Sequence, residues 1–71
     1  MTIQDLHNLK RDVKHAVEIY GEQEISNTFC RYMTQQNRDE FDEILVEIGH
    51  PLAFEAGTQE YRFKKFILSE W

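Results

Sequence analysis

Asn37-Arg38-Asp39-Glu40-Phe41-Asp42-Glu43-Ile44-Leu45-Val46-Glu47-Ile48-Gly49 reads as one amphipathic helix, and it decides the fold class. Asn37 is placed to cap the first turn, with Glu40 three residues on as the reciprocal partner of a capping box. Phe41, Ile44, Leu45 and Ile48 fall at i, i+3, i+4 and i+7, one face of a 3.6-residue helix. Gly49 supplies a left-handed stop, and Pro51 follows where a helix cannot continue. The opposite side carries Asp39, Glu40, Asp42, Glu43 and Glu47 against a single base, Arg38. An earlier start, capped by Thr34, is the alternative boundary, since helix ends shift by a few residues.

Toward the N-terminus the same period continues. Thr2 followed by Asp5 predicts a capped helix over residues 3–20, with Ile3, Leu6, Leu9, Val13, Ala16, Val17 and Tyr20 at steps of three and four. Leu6, Leu9, Val13, Ala16 and Tyr20 keep the alternation of a coiled-coil seam. His7, Lys10, Arg11 and Lys14 are expected on the outward side as a basic stripe. Gly21 ends this helix. A second is expected over residues 22–34, with Glu22 and Glu24 at its positive end and Ile25, Phe29, Cys30 and Met33 on its apolar face. Thr34-Gln35-Gln36-Asn37 then reads as a polar joint.

Beyond Gly49-His50-Pro51 the pattern weakens. Leu52 to Ala56 suits a single helical turn. From Thr58 two readings compete. As a strand, Tyr61, Phe63, Lys65 and Ile67 share a face broken by the lysine. As a helix capped by Thr58, Phe63, Phe66, Ile67 and Trp71 align at i, i+3, i+4 and i+8, which accounts for the residues better. The expected architecture is all-α: one domain over residues 1–71, a compact bundle of three to four short helices with a helical C-terminal segment.

Composition narrows the function classes. A chain of 71 residues buries only about 60% of the surface its unfolded form exposes. Small domains compensate with disulfides, metals, good packing or self-association. Cys30 is the single cysteine, so no disulfide closes within one chain. One thiol without a signal-peptide pattern points to a reducing, cytoplasmic setting. No apolar run approaches the roughly 20 residues that span a bilayer. Thirteen acids against eight bases give a net charge of −5, and residues 37–60 hold seven acids and one base. Nucleic-acid binding needs clustered Lys and Arg to displace counterions, so the acidic balance argues against it as a function class.

Each candidate site has a bland reading beside it. Ala16 to Gly21 followed by Ile25 to Phe29 has the rhythm of a helix-turn-helix. Its second helix offers only Gln23, Asn27 and Arg31 to DNA, with Glu22 and Glu24 set against the phosphates, so an ordinary helical hairpin accounts for it better. Asp39, Glu40, Glu43 and Glu47 form an acidic ridge with carboxylates about 6 Å apart. That ridge suits a solvated face, a dock for a basic protein surface, or an imitation of the phosphate backbone. The basic stripe of the first helix complements it in sign, within one bundle or between two copies as a homodimer. Phe63, Phe66, Ile67, Leu68 and Trp71 fold back to complete the core, the favoured reading, or anchor a partner in a patch that Tyr61 and Arg62 would strengthen.

Chemistry is poorly supplied. His7, His15 and His50 are scattered, and no HExxH, CxxC or EF-hand spacing exists, so no metal or other cofactor is expected. His50, just past a helix end, suits the dipole there. Cys30 beside Phe29 is expected to be a small buried hydrophobe rather than a nucleophile. No glycine-rich loop is present to cradle a phosphate. The chain is not expected to be an enzyme.

Very short, acidic, helical, with one cysteine and no catalytic signature, the chain resembles the accessory proteins of temperate, lambda-like bacteriophages. The resemblance implies a non-enzymatic module that binds and modulates a host protein, and it carries over no functional residue. The candidate partner-binding residues, from the sequence itself, are Asp39, Glu40, Glu43, Glu47, Tyr61, Phe66 and Trp71. A small helix-turn-helix-like DNA-binding regulator is the alternative.

Overall fold

Three threonines start three of the four helices in the computed structural model, which describes residues 1–70. Thr2 caps α1 (Ile3–Tyr20): its hydroxyl accepts the Asp5 N–H at 3.1 Å, and the Asp5 carboxylate accepts the Thr2 N–H at 3.0 Å. The cap lies where the sequence places it, and it closes as a reciprocal capping box. The hydrogen bonds from the Thr2 backbone and hydroxyl hold the Asp5 carboxyl below its usual range. Thr34 caps α3 (Gln35–Glu47) through the Asn37 N–H at 3.2 Å, and Thr58 caps α4 (Gln59–Leu68) through the Tyr61 N–H at 3.1 Å. The remaining helix, α2 (Gln23–Tyr32), follows Gly21 directly and has no side-chain cap.

The start of α3 corrects the reading centred on Asn37. The segment expected to be a polar joint is the helix's own first turn, because the Thr34 carbonyl already accepts the Arg38 N–H at 2.9 Å. Asn37 lies inside that turn and donates its side-chain amide back to the Tyr32 carbonyl at 2.9 Å. Glu40, freed from any capping role, bonds the Gln36 amide and the Met1 nitrogen. Thr34, in extended conformation, satisfies the Asn37 N–H and so starts the helix nearly one turn sooner.

The far end of α3 behaves as read. Gly49 adopts φ +68, and its N–H reaches the Val46 carbonyl while the His50 N–H reaches that of Leu45 at 2.9 Å. This reciprocal pair is a Schellman stop, which needs a left-handed residue at Gly49's position. His50 then turns inward. Its Nδ1 accepts the Leu52 N–H at 3.1 Å and so caps a short 3₁₀ turn, Pro51–Phe54. The side chain is buried against the Phe66 ring. Burial, with Lys10 nearby, pushes its imidazole below the usual range. The histidine expected at the dipole of α3 is thus a buried cap for the turn that follows.

All four helices contribute to one core. Leu6 and Val13 of α1, Ile25 and Phe29 of α2, Phe41, Ile44 and Leu45 of α3, and Phe63, Phe66 and Ile67 of α4 are buried, joined by Met33 and Leu52. Its centre is aromatic: Phe41 meets Phe63 and Phe66 edge-on at 5.9 and 5.8 Å, and Phe29 meets Phe63 at 5.6 Å. Edge-on pairs at such distances add stabilisation beyond the area they bury. The radius of gyration, 11.2 Å, is what about 2.2·N^0.38 Å gives for a compact domain of this length. The architecture is an all-α bundle with a helical C-terminal segment, and no strand occurs among the described residues. No described helix is long and apolar enough to cross a membrane.

Three placements differ from the sequence pattern. Cys30 is exposed. It lies five residues past Ile25, which at about 100° per residue turns it off the apolar stripe. Tyr20 is also exposed, because the last turn of α1 runs past the core. Lys10 is buried instead of joining the outward basic stripe. It stands one helical turn beyond Leu6, and its stem lies along the core while Nζ reaches Ser69 Oγ at 3.1 Å and sits 4.9 Å from the Phe66 ring centre. Burial, then the nearby Lys14, lowers its pKa.

Candidate interaction surface

The apolar stripe of α3 faces the core, so the helix's opposite side faces solvent. Asp39, Glu43, Val46 and Glu47 are the residues this leaves outward, and all four are exposed. Asp39, Glu43 and Glu47 follow one another at four-residue steps, about 6 Å apart along the axis. Val46 sits beside them, 57% exposed. It is an aliphatic side chain on the flank of the acidic row, about 60° around the helix from Glu43. Asp39 accepts the Gln35 amide at 3.0 Å, one turn back along the same helix. Glu43 and Glu47 make no hydrogen bond or ion pair with the described residues.

Two acids of α3 belong to the fold. Glu40 is half-buried and ion-paired to the Met1 nitrogen, and this bond with that from Gln36 lowers its pKa. It therefore leaves the ridge on which the sequence placed it. Asp42 ties α3 to α4: it accepts the Gln59 amide at 2.6 Å and lies 3.5 Å from the Arg62 guanidinium.

The expected aromatic anchors separate. Phe66 has no exposure and lies inside the core, so it is not part of an outer surface. Its place follows from the helix itself: Phe63, Phe66 and Ile67 make the inward stripe of α4. Tyr61, on the outward side, is 40% exposed. Its ring packs across Gly57, where an added Cβ would lie 2.9 Å from a ring carbon. Its hydroxyl faces Glu55 Oε1 at 3.4 Å, and the Lys65 ammonium lies 5.3 Å from the ring centre. Trp71 lies outside the described residues.

One exposed anchor escaped the sequence reading. Phe54 closes the 3₁₀ turn and is 79% exposed. The turn is anchored inward by Leu52 and His50, so Phe54 projects away from the core. The available signal was the brevity of Leu52-Ala53-Phe54: one turn buries one side chain, and Leu52 takes that place.

Among the described residues no pocket forms, and no three His, Cys, Asp or Glu side chains gather as metal ligands would. The α1–α2 hairpin turns at Gly21, as a helix-turn-helix would. On α2, however, Asn27 donates to Glu24 at 3.1 Å and Arg31 lies 3.6 Å from the same carboxylate.

The geometry defines a small all-α domain whose candidate site is a convex helix face. The chain matches no family model, no curated protein and no solved structure.

Proposed function

We propose that this chain is a small non-enzymatic protein-interaction module of the phage-accessory kind, which binds and modulates a host protein in the cytoplasm. The outward face of α3 is the docking surface, and its target is a basic protein surface. The observation that carries this reading is Val46, 57% exposed between Glu43 and Glu47. An aliphatic side chain beside a row of carboxylates gives a contact both an apolar part and a charged rim, the usual composition of a protein interface. Carboxylates on the rim speed encounter by steering a basic partner and fix its register. Phe54 and Tyr61 supply further exposed aromatic area on neighbouring segments.

The helix-turn-helix alternative is weakened by Glu24, which engages both Asn27 and Arg31, the polar side chains of α2 best suited to DNA. The net charge of −5 opposes it as well.

Affinity capture from nuclease-treated host lysate, with wild type and Glu43→Lys/Glu47→Lys side by side, tests the proposal. One stoichiometric protein retained by wild type and lost from the variant supports it. Equal retention by both overturns the assignment of the surface. Salt-dependent binding of a DNA duplex, abolished by Arg31→Ala, transfers the function to the alternative.

A further inference from the structure

We infer that the acidic face of α3 also docks on the basic stripe of α1 in a second copy, so that the protein associates with itself through faces of opposite sign. This rests on the reading of α3 as a docking face and names one occupant for it. With Lys10 withdrawn into the core, Arg11, Lys14 and the half-buried His7 remain on one side of α1, beside the exposed Ile3. Each face therefore combines a stretch of like charge with one exposed aliphatic: Ile3 on α1, where the exposed Glu18 one turn past Lys14 ends the basic stretch, and Val46 on α3.

The two faces do not satisfy each other within one molecule. Among the described residues, Lys14, Glu43 and Glu47 form no ion pair, and Arg11 touches only its neighbour Asp12, at 3.4 Å with both side chains exposed. Such an exposed neighbour pair contributes little and is easily exchanged. Their lengths also correspond: Ile3 to Lys14 spans about 16 Å and Asp39 to Glu47 about 12 Å at 1.5 Å per residue. The net charge of −5 works against association. At physiological salt that repulsion is screened beyond about 8 Å, while contacts across the interface remain.

A two-helix contact of this length is smaller than the roughly 800 Å² per partner of a standard interface. Association is accordingly weak, and sedimentation should be followed from about 10 μM to 1 mM. Wild type should rise above its 8.6 kDa monomer mass with concentration at low salt and return toward it at high salt. Arg11→Glu/Lys14→Glu and Glu43→Lys/Glu47→Lys should each weaken association by about tenfold or more, from two contact pairs turned repulsive. Mixed in equal amounts, the two variants should associate again, since the reversed faces are complementary.

A wild type that stays monomeric throughout overturns the inference. So does association unchanged in either variant, or a mixture that fails to restore it. Circular dichroism confirms that each variant folds. Should a double variant unfold, Lys14→Glu and Glu43→Lys repeat the exchange with one pair. Monomeric wild type combined with loss of the lysate partner from Glu43→Lys/Glu47→Lys removes self-association alone. Restored association in the mixture without any lysate partner removes host binding alone.

Discussion

Phe66→Ala and Phe54→Ala should have opposite consequences although both remove one phenyl ring from the C-terminal third of the chain. Phe66 has no exposure and is packed by Phe41, His50 and Lys10; Phe54 is 79% exposed. Truncating a buried phenylalanine costs about 3–5 kcal/mol, the lost transfer energy plus the cavity left behind. A domain of 71 residues has about 4–11 kcal/mol of stability in total, at roughly 0.05–0.15 kcal/mol per residue. Phe66→Ala therefore removes between about a quarter and all of it. Phe66→Leu keeps most of the volume and should cost about 1–2 kcal/mol, leaving a folded variant to measure. Phe54→Ala should change stability by less than about 0.5 kcal/mol. Urea unfolding followed by far-ultraviolet circular dichroism reads all three. With a slope near 1 kcal/mol per molar, Phe66→Leu should lower the midpoint by about 1–2 M while Phe54→Ala leaves it in place. Equal midpoints for Phe66→Leu and wild type, or a large loss from Phe54→Ala, would refute the assignment of α4 to the core.

Thr34→Ala should lower stability by about 1 kcal/mol, roughly 4–8 °C in thermal midpoint for a domain this size; Asn37→Ala should cost clearly less, and the reverse order would restore Asn37 as the cap. Stability should also fall as pH drops below the ordinary histidine range, about 6.5. The folded pKa of His50 lies below its unfolded value, so the unfolded chain takes up more protons: this contribution is complete above the unfolded pKa and is lost as pH falls through the folded one. His50→Gln should flatten the curve in that window, and an unaltered slope would exclude His50 as its source. Cys30 should react with one equivalent of a thiol reagent in the native state at a rate close to that of the unfolded chain; strong protection would contradict its exposure.

Much of the fold was legible in the sequence because the helices carry their own signals. The Thr2–Asp5 box, the 3.6-residue stripes of α1 and α3 and the glycine stop at Gly49 are local features, and each helix formed where its signals lie. α4 was legible for a similar reason: Phe63, Phe66 and Ile67 fit a helical face, whereas Lys65 interrupts any strand face. The misplacements came where two local signals competed. Thr34 and Asn37 are both good caps three residues apart, and periodicity from Phe41 onward starts too late to choose between them.

The candidate site was only half legible. Periodicity places Asp39, Glu43 and Glu47 outward without further information. It does not reveal that Glu40, on the edge of the same side, finds the Met1 nitrogen, because that contact joins positions 39 residues apart. Lys10 and His50 reversed expectation for a related reason. A long or amphipathic side chain beside the core follows its apolar part inward when a polar partner waits there, as Ser69 does for Lys10 and the Leu52 N–H does for His50. Phe66 was legible as core, since it shares the inward stripe of α4 with Phe63 and Ile67, the same stripe that turns Tyr61 outward.

Docking through the acidic face of α3 is the claim on which the functional account depends. Its most direct test is the association rate of the captured host protein with wild type and with Glu43→Lys/Glu47→Lys, measured by stopped flow across ionic strengths. Wild type should associate quickly at low salt and slow steeply as salt rises, whereas the variant should associate slowly with little salt dependence. Equal rates and equal salt slopes for the two proteins would contradict docking through this face.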